Sequence, residues 1–493
     1  MAGPDKNPPG GAPRLTPAAM RSSALPLSLK AAYASGQLVE LIVGSMLNVF
    51  VLFYVTAVCG LPGGLAGVAL GAGLVVDAVI DPLIGSVSDG WRSRFGRRAP
   101  FMAAGLLPIL ISFNLLFSLP STLSDISLFL WLMLLSVSLR ISLSLFSLPY
   151  QALGAELSDD YTERSSIAAW RWGIGILGTV AVIVLGYGVF LSGPGGMSHR
   201  AGYLQLTLVL SGMLVCGALV AILTGLATRQ RQHATPAPTA PLLRRLPREV
   251  GEVFRNPTFR ILFFSSLLFN IATGVNQALA LHIGTFFWRL TSAQLQLLAL
   301  AAVVGLVFGA PIASLLVPRI EKRTMLLIGM AGMALCNAGP TTLRLLGLLA
   351  VTGPELTLVL AVTAMTGGAL MALSIITFLS IMADAADEHE HLFGARREGL
   401  YFAGWSFAGK AASGAGVLIA GVVLQLIRFP THLTEQGAAS AAIPAETTMW
   451  LGVTGGPGTA LLSILGIGIV MFYHLDKRAH ARIMADLNAR RAT

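Results

Sequence analysis

DAVIDPLIGSVSDGWRSRFGRRAP, residues 77–100, closes an apolar stretch with a basic turn. Asp77 and Asp81 stand four residues apart, so on a helix both carboxylates share one face. Ionised groups in hydrocarbon are costly and normally face a bundle interior, a partner charge or a bound ion. Two adjacent carboxylates also repel, and a bound Na+ or shared protons relieve that repulsion. The stretch therefore reads as a membrane-spanning helix with a coupling-cation site at Asp77 and Asp81.

The rest of the chain agrees with a membrane setting. Of its 493 residues 55% are hydrophobic and only 11% charged, at a mean hydropathy of +0.75, which is outside the soluble range. Apolar stretches lie near 32–60, 63–88, 100–120, 126–155, 167–192 and 202–228, and again near 260–288, 293–317, 324–346, 355–383, 399–428 and 449–474. Each exceeds the roughly 20 residues a spanning helix needs, which predicts an all-α protein of twelve transmembrane helices. Residues 1–31 are polar and Pro-rich without a short apolar core and cleavage site, so they are expected to be a cytoplasmic segment and not a cleaved leader.

The net charge of +10 is topological and does not point to nucleic acid. With the amino terminus inside, 26 of the 33 Lys and Arg fall in inward segments, and the outward loops hold only Arg200, Arg289, Arg344 and Arg428. That asymmetry predicts both termini in the cytoplasm. Arginine outnumbers lysine, with much Ala and Gly, as in a GC-rich bacterial genome, so the expected location is the inner membrane. Cys59, Cys216 and Cys336 are odd in number and far apart, and read as small core residues rather than a disulfide framework.

Residues 229–258 are basic and Pro-rich and read as a cytoplasmic linker. They divide a six-helix half over 32–228 from a second over 259–474, and 475–493 form a cytoplasmic tail. Pro82, Gly85, Arg97 and Arg98 have counterparts in Pro311, Ser314, Lys322 and Arg323, and YTERSSIAAWRW resembles FGARREGLYFAGW. Parallel six-span repeats predict the major facilitator fold, with substrate near the midplane between the halves. Gly85, Asp89, Arg92, Gly96, Arg97 and Arg98 fit that fold's loop pattern. Asp89 would pair with an arginine of its own loop or a neighbouring helix end and hold a cytoplasmic gate.

The segment 77–100, together with FYVTAVCGL at 53–61, LPYQALGAELSDDYTERSSIAAWR at 148–171 and ADAADEHEHLFGARREGLYFAGWSFAGK at 383–410, resembles the glycoside/pentoside/hexuronide cation symporters, the melibiose permease group. The resemblance covers most of the chain in the family's order. It implies secondary transport of a sugar, glycoside or hexuronate with Na+ or H+ as coupling cation and no other cofactor, and we expect a monomer. By position it assigns Asp77 and Asp81 to the cation, Arg171 to sugar contact and Lys410 to the family's span-eleven lysine. Lys410 would pair with Asp77 or Asp81, or else reach water. Trp170 and Trp172 flank Arg171, and an indole there could pack a sugar face.

The chain also departs from the group. Leu41 replaces an acidic sugar ligand, with Glu40 beside it and Gln37 one turn back. Ser147 replaces another acid and Gln151 a stacking tryptophan, which implies a changed substrate. Arg140 and Glu40 are further intramembrane charges. They either serve binding, with Arg140 and Arg171 favouring an anion such as a hexuronate or a lipid phosphate, or neutralise each other.

DEHEHL at 387–392 alternates acids and histidines, but i,i+2 residues do not share a helix face, so a solvated gate loop is expected rather than a metal site. Asp384 and Asp387 would pair with Arg396, Arg397 or the basic second loop. A lysolipid or other amphiphilic-anion carrier is the alternative substrate class. An enzyme lacks a nucleophile–base pair here, a sensor lacks an appended signalling domain, and an ATP-driven pump lacks a P-loop.

Overall fold

The computed structural model describes residues 25–158, 160–192, 196–231, 250–395, 397–430 and 443–492. Helix α1 is the pair Leu27–Val49 and Val51–Val58, bent by 45°. Helix α2 is Gly63–Gly90, α3 Ala99–Leu116, α4 Asp125–Glu156, α5 Thr162–Phe190 and α6 Arg200–Ala227. The second set is α7 Pro257–Phe287, α8 Ser292–Leu316, α9 Lys322–Leu345, α10 Gly353–Phe393, α11 Glu398–Leu426 and α12 Ala445–Val470. Among the described residues ten of these are long and apolar enough to cross a membrane, and the bent α1 is an eleventh. Helix α2 completes the twelve: its 28 residues reach about 42 Å at 1.5 Å each, apolar in Gly63–Gly73 and carrying Asp77, Asp81 and Asp89 beyond. A further helix, α13, Lys477–Ala492, packs on α10.

The two halves repeat a local device. In 53–61 and in 282–290 a span ends in a π turn followed by a left-handed residue. Cys59 N donates to Tyr54 O and Leu61 N to Val55 O, while Trp288 N donates to Ile283 O and Leu290 N to Gly284 O, all at 2.8–3.1 Å. Gly60 has φ 80° and Arg289 has φ 54°. Arg289 holds a conformation that favours glycine, so the turn is specified by hydrogen bonding as well as by residue type. Phe53 and His282, equivalent in this repeat, pack on one another at 5.0 Å, and His282 Nε2 lies 2.9 Å from Thr56 Oγ1.

Those contacts close one end of the bundle, here the far end; the other, carrying Arg97, Arg98 and Lys322, is the basic end. At the far end Phe53 also stacks on Phe286, 5.8 Å away, and Ser292 Oγ donates to Leu191 O at 2.8 Å. Helices α2 and α11 meet there through glycine. A Cβ on Gly421 would stand 2.3 Å from Gly63 O and 2.7 Å from Gly67 Cα. At Gly71 the nearest atom of α11 is 3.6 Å away, and at Gly85 nothing lies within 4 Å. The helices thus diverge toward the basic end. Small residues permit such close backbone approach in membranes, where packing replaces the hydrophobic effect.

Ion pairs seen among the described residues of the basic end join elements of the same half. Glu156 Oε1 accepts from Arg97 at 2.5 Å and from Arg98 at 2.7 Å, Arg98 also reaches Asp89 at 2.6 Å, and Lys30 bonds Glu163 at 2.8 Å. Arg97 and Arg98 are 7% and 3% exposed, so Glu156 holds two buried guanidinium groups. Removing one partner of a buried pair costs about 3–5 kcal/mol. Glu156→Ala is accordingly expected to lower thermal stability by at least about 3 kcal/mol, near the bottom of that range because Asp89 and Ser88 still serve Arg98. A fluorescence-detected melt of the detergent-solubilised protein checks this, and an unchanged melting temperature would refute it.

Two sequence expectations change here. DEHEHL is helical: α10 runs 41 residues to Phe393 and stops at Gly394, φ 74°, whose N–H caps Glu390 O. No Gly or Pro falls in residues 369–393, and nothing in that charged sequence stops a helix from continuing past the membrane. Glu388 and His389 are buried rather than solvated. Of the cysteines only Cys59 is a core residue; Cys216 is exposed and Cys336 half-buried.

Candidate functional site

Between the halves lies a cavity of about 1150 Å³. Helix α1 supplies Gln37 and Glu40, α2 Asp77, Asp81 and Pro82, α4 Ser147, Leu148 and Gln151, and α5 Arg171 and Trp172. From the described residues of the second half only α11 contributes, with Trp405, Ser406, Phe407, Lys410 and Leu418 prominent. Acids and amides therefore line one wall, and aromatic and aliphatic groups with a single ammonium line the other.

Lys410 Nζ donates to Asp81 Oδ2, an ion pair that joins the two halves across the cavity. Asp77 Oδ2 accepts from Arg140 at 2.9 Å. The Oδ1 atoms of both aspartates are buried without a hydrogen-bond partner. Glu40 Oε2 accepts from Gln37 at 3.0 Å and from Gln151 at 3.4 Å. Arg171 has a buried Nε with no partner, a donor held ready beside the cavity, where an unpaired polar group is unfavourable until something accepts from it.

A family model described as MFS/sugar transport protein matches residues 32–477, which is most of the chain. The chain belongs to the MFS/sugar transport family. A symporter of Synechocystis is 32% identical over 166 residues, covering 33% of this chain and 30% of that protein. Longer matches span nearly everything. The symporter YnaJ of Bacillus subtilis is 26% identical over 94% of both chains, and a glucuronide carrier protein homologue of Escherichia coli is 24% identical over 93% of this chain and 95% of its own. A mouse sodium-dependent lysophosphatidylcholine symporter is 24% identical, covering 94% of this chain and 88% of its own. In fold, the nucleoside transporter NupG superposes with a TM-score of 0.59 at 15% identity, covering 90% of this chain and 99% of that one. This MFS protein is therefore a multi-pass membrane transporter with the major facilitator fold, and not an enzyme.

The residues singled out in the sequence of this MFS protein converge unevenly. Asp77, Asp81, Gln37, Glu40, Gln151, Arg171 and Lys410 all line the cavity. Arg140 stands off its wall, and its partner is Asp77; of the two readings open for Arg140 and Glu40, direct pairing with each other is not seen, since Glu40 bonds Gln37 and Gln151. Trp170 is 39% exposed and does not line the cavity, whereas Trp172 does. Residues two apart on a helix point about 200° from one another, so only one indole of the pair faces inward.

At the basic end Asp384 bonds Lys322 at 2.6 Å, and His480 of α13 lies 3.7 Å from Asp384 and 3.2 Å from Asp387. Arg397 pairs with Glu252 at 3.2 Å rather than with these aspartates. Arg396 lies outside the described residues. Sequence reasoning missed Glu156, which sits in the quoted run QALGAELSDD but gains meaning only from the arginines folded against it. It also missed Trp405 and Phe407, whose aromatic pattern resembles that of an ordinary apolar span.

Proposed function

We propose that this transporter is a cation-coupled symporter that carries a sugar, glycoside or hexuronate by alternating access, with Na+ or H+ as coupling ion. It works as a monomer in the inner (cytoplasmic) membrane with both termini in the cytoplasm. The observation that carries the reading is the Lys410–Asp81 pair: an ion pair between the halves, at the wall of a cavity sealed at the far end. A cation that takes the place of the ammonium at Asp81 releases the second half from the first, and so links ion binding to the rocking of the halves. The excess of Lys and Arg supports a cytoplasmic basic end, and in that orientation this conformation is inward-facing.

In that reading Asp89, Arg97 and Arg98 in one half, and Asp384, Asp387, Arg396 and Arg397 in the other, are the cytoplasmic gate. With the gate open, the partners seen for those of them that are described are local. Arg171, Gln37, Glu40 and Gln151 hold polar substrate atoms while Trp172 packs an apolar face. The unpartnered Nε of Arg171 and the glucuronide carrier relative both favour a carboxylate-bearing sugar.

A second reading, an amphiphilic anion such as a lysolipid, is favoured by the apolar wall of Trp405, Phe407 and Leu418 and by the lysophosphatidylcholine symporter relative. Competition between glucuronides and lysolipids for uptake into proteoliposomes separates the two. Arg171→Lys keeps the charge and loses the planar fork. It is expected to weaken substrate binding by about 2 kcal/mol, roughly 30-fold, with cation binding unchanged. Calorimetric titration at saturating cation measures it, and equal affinity would remove Arg171 from the site.

A further inference from the structure

We propose that Arg140 is a resident cation that permanently occupies one of the two places in the Asp77–Asp81 pair, leaving a single exchangeable cation position at Asp81. The inference rests on the cation-coupling reading and deepens it, because it sets which ion the site accepts.

The arginine is built in. Its guanidinium reaches Asp77 at 2.9 Å from α4, and its stem runs through a notch at Gly73, one turn before Asp77 on α2. A Cβ on Gly73 would stand 2.6 Å from Arg140 Cδ, 3.0 Å from its Nε and 3.0 Å from Ser136 Oγ. Gly73 and Ser136, one turn before Arg140 on α4, are thus the small residues that admit the side chain. Lys410 is held differently. Its side chain is 46% exposed against 20% for Arg140, so an ammonium on a flexible stem can leave along the cavity, whereas the arginine is wedged between two helices.

Charge counting leads to the same place. Two carboxylates, one guanidinium and one ammonium sum to zero, and each Oδ2 is already engaged. A metal ion entering without displacing either group would leave a net positive charge among apolar spans, which is unfavourable. Displacing Lys410 keeps the balance but offers the entering ion one carboxylate, which a proton satisfies and a metal ion, needing several oxygen ligands, does not. Displacing Arg140 would strand a guanidinium beside the apolar stretch Gly63–Gly73. A Na+ held jointly by both aspartates does not fit this arrangement, and Arg140 is the residue that excludes it.

The test uses the full-length purified protein and Na+ alone, with choline holding ionic strength constant. For the wild type, the melting temperature is expected to show no saturable Na+-specific rise between zero and 100 mM. Arg140→Gln, which frees Asp77, is expected to gain a saturable Na+-specific rise, and Arg140→Gln/Asp77→Asn to lose it again. Gly73→Ser, which crowds the stem out of its notch, should gain the same response without touching any charge. A saturable Na+-specific stabilisation of the wild type would overturn the proposal, and so would Arg140→Gln and Gly73→Ser proteins that are folded but blind to Na+. Because the wild-type titration needs no variant and no substrate, it stands even if a variant fails to fold. Failure of concentrative uptake under every ion gradient would instead count against symport itself and leave the titration result as it is.

Discussion

Asp81→Asn is expected to abolish cation-driven accumulation, bringing internal substrate no higher than the external concentration, while exchange of substrate across the membrane continues. Asparagine keeps the shape of the side chain and removes the charge that Lys410 and an entering cation compete for. Without that competition nothing ties cation binding to the parting of the halves, and the ion gradient ceases to drive transport. Proteoliposomes preloaded with substrate measure exchange, and empty ones with an imposed ion gradient measure accumulation. Retained cation-driven accumulation would sink the assignment. Lys410 in this variant is half-exposed and can turn toward the cavity water, so insertion and folding are expected to persist.

Gly421→Leu should have an effect of similar size for a mechanical reason. Its side chain would enter the space now held by Gly63 O and Gly67 Cα, so the far end could not close as it does here. Overpacking of this kind costs about 1–3 kcal/mol, which shifts a two-state equilibrium roughly 5- to 150-fold. The variant is expected to favour the state open at the far end and to lose transport. Spin labels at Leu123→Cys and Leu348→Cys, in exposed loops of opposite halves and in a background without the three native cysteines, report the change. The expected outcome is a longer far-end distance; an unchanged distribution with normal transport would show that the seam is not a closure surface.

Much of the architecture was legible in the sequence because hydropathy and charge act over whole segments. Twelve apolar runs and a lopsided distribution of arginine need no three-dimensional information, and Asp77 and Asp81 share a helix face by local geometry alone. Contacts between spans are another matter. Arg140 and Asp77 are 63 residues apart, and the only local sign of their meeting is a glycine at 73, one of 54 in the chain. The choice between Trp170 and Trp172 depended on the rotation of α5 about its axis, which adjacency to Arg171 does not fix. Charged residues at 387–392 suggested water, yet α10 continues because helix propensity is indifferent to the membrane boundary, and α13 and its neighbours then cover the extension. The resemblance to known symporters pointed to the carboxylates and Lys410, but not to the pairing of Arg140 with Asp77.

The unequal composition of the two cavity walls carries a consequence for how such a transporter can change. The cavity's ionisable groups lie almost wholly in the first half, in Asp77, Asp81, Glu40 and Arg171, while the second half offers Lys410 and a surface of Trp405, Phe407 and Leu418. The apolar part of the cargo's fit is thereby carried on a different piece of the chain from the proposed cation pair. Substitutions along α11 that spare Lys410 can reshape what is carried without retuning the engine, so divergence of cargo in this lineage is open to drift on one helix.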